Sequence, residues 1–239
     1  MKSHSFSKIE LIDKDDQIFV RKSGNISRNL ERFNALYQLE LPFPKLLDVH
    51  ENHYDMEYIP HEDAKTFLKN YDVNELAVFI TKVIDILSKD KIKKDYSNTY
   101  NQKLTDFTWT KYDLPFNAKE LYEKLPKILP SSNYHGDLTL DNILYKKKDF
   151  FLIDPLTTEY DSFVFDLAKL RQDTTCKWFV RGEDFYFDYK LKILEQEFSK
   201  YEQFNNNYLL ILMLMRVLPY ATCIYDKKFI EFEIKKLWK

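Results

Sequence analysis

The chain has 239 residues and only three glycines, Gly24, Gly136 and Gly182, each isolated. A typical soluble protein is about 7 % glycine, so roughly 17 would be expected, and the two phosphate cradles built from clustered glycines, G-x-G-x-x-G and the Walker-type loop, are excluded. A formal net charge of −2 removes any global pull toward nucleic acid or an anionic membrane. The first residues alternate as a β-hairpin: Ile9 and Leu11, then Ile18 and Val20, around the turn Asp13-Lys14-Asp15-Asp16, with Gly24 closing the second strand. A helix is predicted from about Ser27 to Leu39, with Leu30, Phe33, Leu36 and Tyr37 on one face; Pro42 and Pro44 stop it. Lys45 to Val49 and Tyr54 to Tyr58 read as strands, and Pro60 ends the second.

Beyond Pro60 the pattern turns helical. Leu76, Phe79, Ile80, Val83, Ile84 and Leu87 follow helical spacing from Val73 to Ser88, and Asp72 with Glu75 resembles a capping box. From Lys91 to Asn133 the pattern weakens, apart from a short helix near Ala118 to Leu125. Strands Ile143–Tyr145 and Phe150–Ile153 flank a charged turn, and everything after Asp166 reads as helical. The run Tyr208 to Met215 is too short to span a bilayer and is predicted to be a buried helix. Cys176 and Cys223 are far apart, and no apolar leader is visible, so a reduced cytoplasmic chain without membrane insertion is expected.

The polar residues with a chemical reading lie in Tyr134-His135-Gly136-Asp137-Leu138-Thr139-Leu140-Asp141-Asn142 and Phe151-Leu152-Ile153-Asp154-Pro155. A hairpin between the two stretches brings both strand ends to one edge, so Asn142 and Asp154 converge. An amide oxygen and a carboxylate are hard donors that suit Mg²⁺, which takes its other ligands from water and phosphates. Asp137, on the preceding loop, can orient or deprotonate an incoming hydroxyl.

H-G-D-x-x-x-x-N followed by an apolar strand ending in Asp resembles the aminoglycoside phosphotransferase and choline kinase family, small-molecule kinases with the protein-kinase-like fold. Gly136 stands where protein kinases have Arg, and Pro155 follows the metal Asp in place of Phe; both departures favour the small-molecule branch. The resemblance implies an α+β, bilobal fold: a shortened β-rich N-terminal lobe that binds nucleotide, residues 1–59, and a larger helical lobe for catalysis and substrate, residues 60–239. It implies Mg²⁺ held by Asn142 and Asp154, and ATP or GTP as phosphate donor. Lys22, in Phe19-Val20-Arg21-Lys22, looks like the phosphate-binding Lys, and Glu31 matches the Glu that aligns it. Leu41-Pro42-Phe43-Pro44 resembles the connection after that helix. Met56-Glu57-Tyr58-Ile59-Pro60 looks like the interlobe hinge, where backbone groups of Glu57 and Ile59 pair with adenine. His135 is implied as scaffold and Asp166 as a brace of the catalytic loop.

Read from the residues alone, Arg21 is an alternative to Lys22 as the functional cation, and Glu31 can equally pair with Arg28 on its own helix. His50 and His53 read as a solvated loop and not as a metal site. The aromatic stretch Trp178 to Tyr189, with Glu183, Asp184 and Asp188, suits either helix packing or an acceptor pocket. Only 21 residues precede Lys22, room for one hairpin where relatives place three strands, so a shortened phosphate lid is expected. The expected activity is transfer of a terminal phosphate to a hydroxyl of a sugar, amino sugar or amino-alcohol, and the resemblance points to a role in bacterial surface-polysaccharide synthesis. The alternative is a catalytically silent kinase-like module that binds a nucleotide or other ligand.

Overall fold

The computed structural model describes residues 7–14, 17–183 and 187–239. Its first element is the hairpin that the alternation predicts. β1 (Lys8–Lys14) runs antiparallel to β2 (Gln17–Ser23), placing Ile9 opposite Lys22 and Leu11 opposite Val20. Asp15 and Asp16 of the expected turn lie outside the described residues. Gly24 follows at φ 113°, a backbone conformation that disfavours a side chain, and donates its N–H to the Asn52 carbonyl.

α1 (Ser27–Tyr37) ends two residues earlier than its apolar pattern suggests, because the chain turns through Glu40 at φ 54° before reaching the prolines. Its inward face carries Asn29, Arg32, Phe33 and Leu36. β3 (Leu46–Val49) and β4 (His53–Glu57) complete an antiparallel sheet in the order β1-β2-β4-β3. Val20 pairs with Met56 and Lys22 with Tyr54, so these four side chains share a face. Edge-to-face contact between Phe33 and Tyr54, at 5.8 Å, packs α1 on the sheet.

After β4, a backbone bridge between Glu62 and Tyr145 ties the linker to the helical part. α2 (Ala64–Asn70) is a helix that periodicity misses: seven residues are less than two apolar repeats, and only its Asp63 cap, accepting from the Thr66 N–H, marks it. α3 (Val73–Leu87) buries Leu76, Ile80, Val83, Ile84 and Leu87 as predicted. The expected capping box does not close: the Asp72 carboxylate accepts from the Asn74 N–H instead of that of Glu75. A true reciprocal box occurs farther along, between Asn117 and Glu120 at the start of the helix that begins at Ala118.

The weakly patterned stretch from 91 to 133 is not loop. β5 (Ile92–Asp95) pairs antiparallel with β6 (Ile128–Ser131), and α4 (Ser97–Asp106) and α5 (Ala118–Lys124) lie between them. β5 reads Ile-Lys-Lys-Asp and is largely exposed, and α4 buries just Tyr100 and Leu104, so neither carries a legible apolar period. β7 (Ile143–Lys146) and β8 (Asp149–Leu152) form the predicted hairpin.

Every residue of α6 (Phe163–Thr174) is buried, five charged or amide side chains included. α7 (Asp188–Phe198) and α8 (Asn207–Val217) pack against it, and α9 (Ile224–Leu237) packs on α8. α8 buries every residue from Leu209 to Met215, the buried helix expected of that run. At about 1.5–3 kcal/mol for each large side chain removed from water, it anchors the helical part. One hydrophobic cluster extends from Val20 and Phe33 through Ile80 to Leu212 and Ile234; a separate small one joins Ile59, Leu144 and Ile153. The architecture is α+β, a small N-terminal sheet lobe on a helical C-terminal part. Among the described residues no helix is long and apolar enough to cross a membrane.

Candidate active site

The site is built on α6. Asp166, Lys169 and Asp173 lie three and seven residues apart, one face of a helix, and each takes hold of the loop from His135 to Leu140. The Asp166 carboxylate accepts from the backbone N–H groups of His135 at 2.6 Å, Gly136 at 2.9 Å and Leu138 at 3.4 Å. Burial pushes its pKa up to about 6 against the three amides, which favour the ionised form. Lys169 Nζ stands 3.1 Å from Asp137 Oδ1. Asp173 accepts from the Leu140 N–H at 2.7 Å, and burial with Asp141 nearby raises this carboxyl well above its usual value.

Gly136 sits at φ 91°, and a Cβ there would lie 1.9 Å from the Leu156 carbonyl oxygen. This glycine is therefore required by the close approach of the segment that follows Asp154. His135 is fully buried, stacks on Phe43 at 5.9 Å, and accepts from the Asp137 N–H at 3.3 Å. Burial lowers its pKa to about 4, so the ring is a neutral packed support at pH 7.

Asp137 is the partly open member, with 36 % of its side chain exposed. Burial acts to raise its pKa, but the Lys169 ammonium and the Arg216 guanidinium hold it below the usual carboxylate value. The Asn142 amide Nδ2 donates to the Asp137 carbonyl at 2.8 Å and to Oδ2 at 3.3 Å. The Ile153 N–H donates to the Asn142 carbonyl at 3.0 Å, joining the two ends of the hairpin. Asp154 comes next, in the left-handed region at φ 55°. Such a conformation costs on the order of 1–3 kcal/mol and persists where neighbours over-determine it. Here Asn29 Nδ2 donates to the Pro155 carbonyl at 2.8 Å, and the Leu156 N–H to the His135 carbonyl at 2.9 Å.

The structure brings Lys22 to this point. Its side chain is buried and donates to Asp154 Oδ1 at 2.8 Å. Arg21 points the other way and forms a two-pronged pair with Asp55 at 2.7 and 2.8 Å. The alternation of a strand separates the two neighbouring cations.

Glu31 departs from expectation. It lies on the exposed face of α1, so the carboxylate that Lys22 meets is Asp154. The alternative pairing with Arg28 is not formed either: Arg28 donates to the Thr157 carbonyl and approaches Glu159 at 4.0 Å. α1 grips the site through Asn29 and through Arg32, whose Nε donates to the Tyr134 carbonyl at 2.7 Å. A turn of about 100° per residue sends Glu31 outward when Asn29 and Arg32 face in.

At the hinge, the Glu57 N–H donates to the Lys45 carbonyl at 2.8 Å, and the Ile59 carbonyl meets His61 Nδ1 at 2.7 Å. Those two groups are engaged within the protein. The Ile59 side chain joins Leu144 and Ile153 in the small apolar cluster, with Phe151 packed against it. On the sheet face that carries Lys22, Val20 and Met56 are buried, whereas Leu11 and Ile18 are 62 % and 52 % exposed.

Lys169, Asp173, Asn29 and Arg32 are the site-building residues that sequence reasoning missed. The signal for the first two was present: once Asp166 is assigned to the loop, positions three and seven later share its face. Elsewhere, the stretch from Trp178 walls a cavity of about 360 Å³ against α9, lined by Cys176, Arg181, Tyr225, Phe229 and Glu233 among others. Asp184 of that stretch lies outside the described residues.

Residues 13–190 match the model of a phosphotransferase enzyme family, APH. A search of curated proteins finds no match. Among solved structures, the apo form of a thermostable mutant of the aminoglycoside phosphotransferase APH(4)-Ia aligns with a TM-score of 0.69 and 11 % identity, covering 99 % of this chain and 92 % of that one. A ternary complex of the same enzyme with ADP and hygromycin B aligns with a TM-score of 0.66 and 11 % identity, covering 99 % and 91 %. A glucosamine kinase in complex with glucosamine, ADP and inorganic phosphate aligns with a TM-score of 0.61 and 11 % identity, covering 96 % and 79 %. At such identities these likenesses show the fold, whereas the family match spans well over half of the sequence. The chain belongs to the phosphotransferase enzyme family.

Proposed function

We propose that the protein transfers the terminal phosphate of ATP or GTP to a hydroxyl of a small metabolite of the sugar, amino sugar or amino-alcohol kind. Residues 1–59 are read as the nucleotide lobe and residues 60–239 as the catalytic and acceptor lobe. The observation that carries this reading is the run of contacts Lys22–Asp154, Ile153–Asn142 and Asn142–Asp137, which gathers four functional groups from distant parts of the chain into one place. The similarity of Ile153-Asp154-Pro155 through Phe165-Asp166-Leu167-Ala168-Lys169-Leu170 to relatives in surface-polysaccharide synthesis favours a sugar or its precursor, by association alone.

The donor set fits Mg²⁺. Asn142 has its amide nitrogen committed to Asp137, which leaves Oδ1 as its donor, and Asp154 retains the oxygen that Lys22 does not take. No group of three or more His, Cys, Asp or Glu side chains able to hold a metal occurs among the described residues. Two protein oxygens, completed by water and phosphate, suit Mg²⁺ and not a closed transition-metal cage. When bound with the nucleotide, the ion supplies neutralising charge to the phosphates.

The chain's own residues do the positioning. Asp137, ionised and held by Lys169, accepts the hydroxyl proton as the acceptor oxygen bonds to the terminal phosphorus. The bond from that phosphorus to the bridging oxygen breaks, and the nucleoside diphosphate leaves with the electron pair. Lys22 steadies the inner phosphates, and the Glu57 carbonyl and Ile59 N–H serve adenine, since their partner groups are taken within the protein. Ile59, Leu144 and Ile153 provide an apolar surface for the base, with Leu11, Ile18 and Val20 opposite.

A catalytically silent binding module is the second reading, favoured by the outward Glu31. Phosphate transfer is measured across sugars, amino sugars and amino-alcohols with both nucleotides, beside a thermal-shift titration with and without Mg²⁺. Transfer that disappears in Asp154→Ala supports the kinase. Absence of both transfer and Mg²⁺-dependent stabilisation supports the silent module.

A further inference from the structure

Two of the cations beside Asp137 are already paired with carboxylates. Lys169 is buried and pairs with Asp137, and Lys22 pairs with Asp154. Both of those cations are matched one to one by a site carboxylate. Arg216, near the end of α8, is a third cation, half-buried, with its guanidinium carbon 5.1 Å from the centre of the buried Tyr160 ring. Tyr160 belongs to the segment that joins Asp154 to α6, which puts Arg216 against that segment, and its charge acts on Asp137.

The acids of that segment are committed elsewhere. Glu159 meets Lys103 at 3.0 Å, and Asp161 meets Lys94 at 2.5 Å and the Tyr96 hydroxyl at 2.9 Å. The described partner of Arg216 is Met213 Sδ, a weak acceptor, at 3.4 Å. A guanidinium resting on an aromatic face, with most of its donors uncommitted, is the geometry that takes a carboxylate or phosphate two-pronged.

Resting on the kinase reading above, we infer that Arg216 binds an anionic group of the acceptor, so that the substrate is a hydroxylated acid or phosphate ester, such as a sugar acid or sugar phosphate. An aminoglycoside-like polycation would place a charge against Arg216.

The full chain is assayed for nucleotide-dependent transfer to four probes of similar size: glucuronate, glucose 1-phosphate, glucose and glucosamine. Higher kcat/KM for glucuronate or glucose 1-phosphate than for glucose and glucosamine is expected, and the better of the two anions identifies which anionic group is read. In Arg216→Met the preference for the anion over glucose should fall about tenfold or more, chiefly through KM, with partial recovery in Arg216→Lys. Equal or better turnover of glucose or glucosamine by the unaltered protein overturns the inference while leaving the kinase reading intact. An anion preference untouched by Arg216→Met overturns the role of Arg216. Transfer to no probe, with no Mg²⁺-dependent nucleotide binding, removes the kinase reading and the inference with it. The comparison among probes uses the unaltered protein, so it stands even if an Arg216 variant fails to fold.

Discussion

The two sides of the site are built to different standards. On the catalytic side, the loop from His135 to Leu140 is held at five places by three side chains of one fully buried helix: Asp166 takes three amides, Lys169 the Asp137 carboxylate and Asp173 the Leu140 amide. On the other side, Lys22 stands on the hairpin of β1 and β2, and the apolar side chains Leu11 and Ile18 on the Lys22 face stay largely in water. The difference teaches that positional accuracy is concentrated at the acceptor end. This is where a reaction that depends on placement and charge needs it.

Breaking the catalytic side should have the largest effect. Asp137→Ala and Asp154→Ala should each reduce kcat by about 10²–10⁴ while the fold is retained, as checked by turnover and circular dichroism. Next, Asp166→Ala should reduce both rate and stability. It leaves three buried N–H groups without their acceptor, at about 1–3 kcal/mol for each, and the denaturant midpoint should fall accordingly. Lys169→Met should slow turnover by about 10–10², because the Asp137 carboxylate loses its anchor; Lys169→Arg should recover part of the rate, whereas a purely structural role would show only in the melting temperature.

A smaller effect concerns pH. His135 is neutral in the fold down to about pH 4, whereas an unfolded His titrates near its ordinary 6.5. Between those values the unfolded chain binds a proton that the native one does not. Stability should therefore fall as pH drops from about 6.5 to about 4, by up to roughly 3 kcal/mol from this residue. Melting temperatures across that range should show the loss, and His135→Gln should flatten it. Smallest of all, Glu31→Ala should change kcat/KM less than about twofold, since an exposed carboxylate away from Lys22 contributes little. A large loss would mean that Glu31 swings in when nucleotide binds.

What could be read from the chain divides along the same line. The hairpin of β7 and β8, the helix α3 and the convergence of Asn142 with Asp154 followed from local pattern, because apolar alternation and short turns leave few topologies open. Lys22 on the inner face followed from the two-residue period of a strand. Glu31 did not, because a helix face is set by rotation: an error of one position moves a side chain by about 100°. Lys169 escaped because a buried lysine looks like a surface one until its helix is known to be buried all round. β5, β6 and α4 escaped because their sequences are polar, and they are held by pairing and by a few aromatic anchors such as Tyr100 and not by a continuous apolar stripe.

The most direct test of the gathered site is single-turnover transfer from radiolabelled ATP to the preferred acceptor, with Mg²⁺, for the unaltered protein and for Asp137→Asn. Asp137→Asn preserves the shape of the side chain and removes the ionised carboxylate that faces Lys169. The predicted result is labelled acceptor from the unaltered protein and a loss of about 10² or more in rate for the variant, with nucleotide binding preserved. Equal rates from the two proteins would contradict the assignment of Asp137 as the group that receives the acceptor's proton.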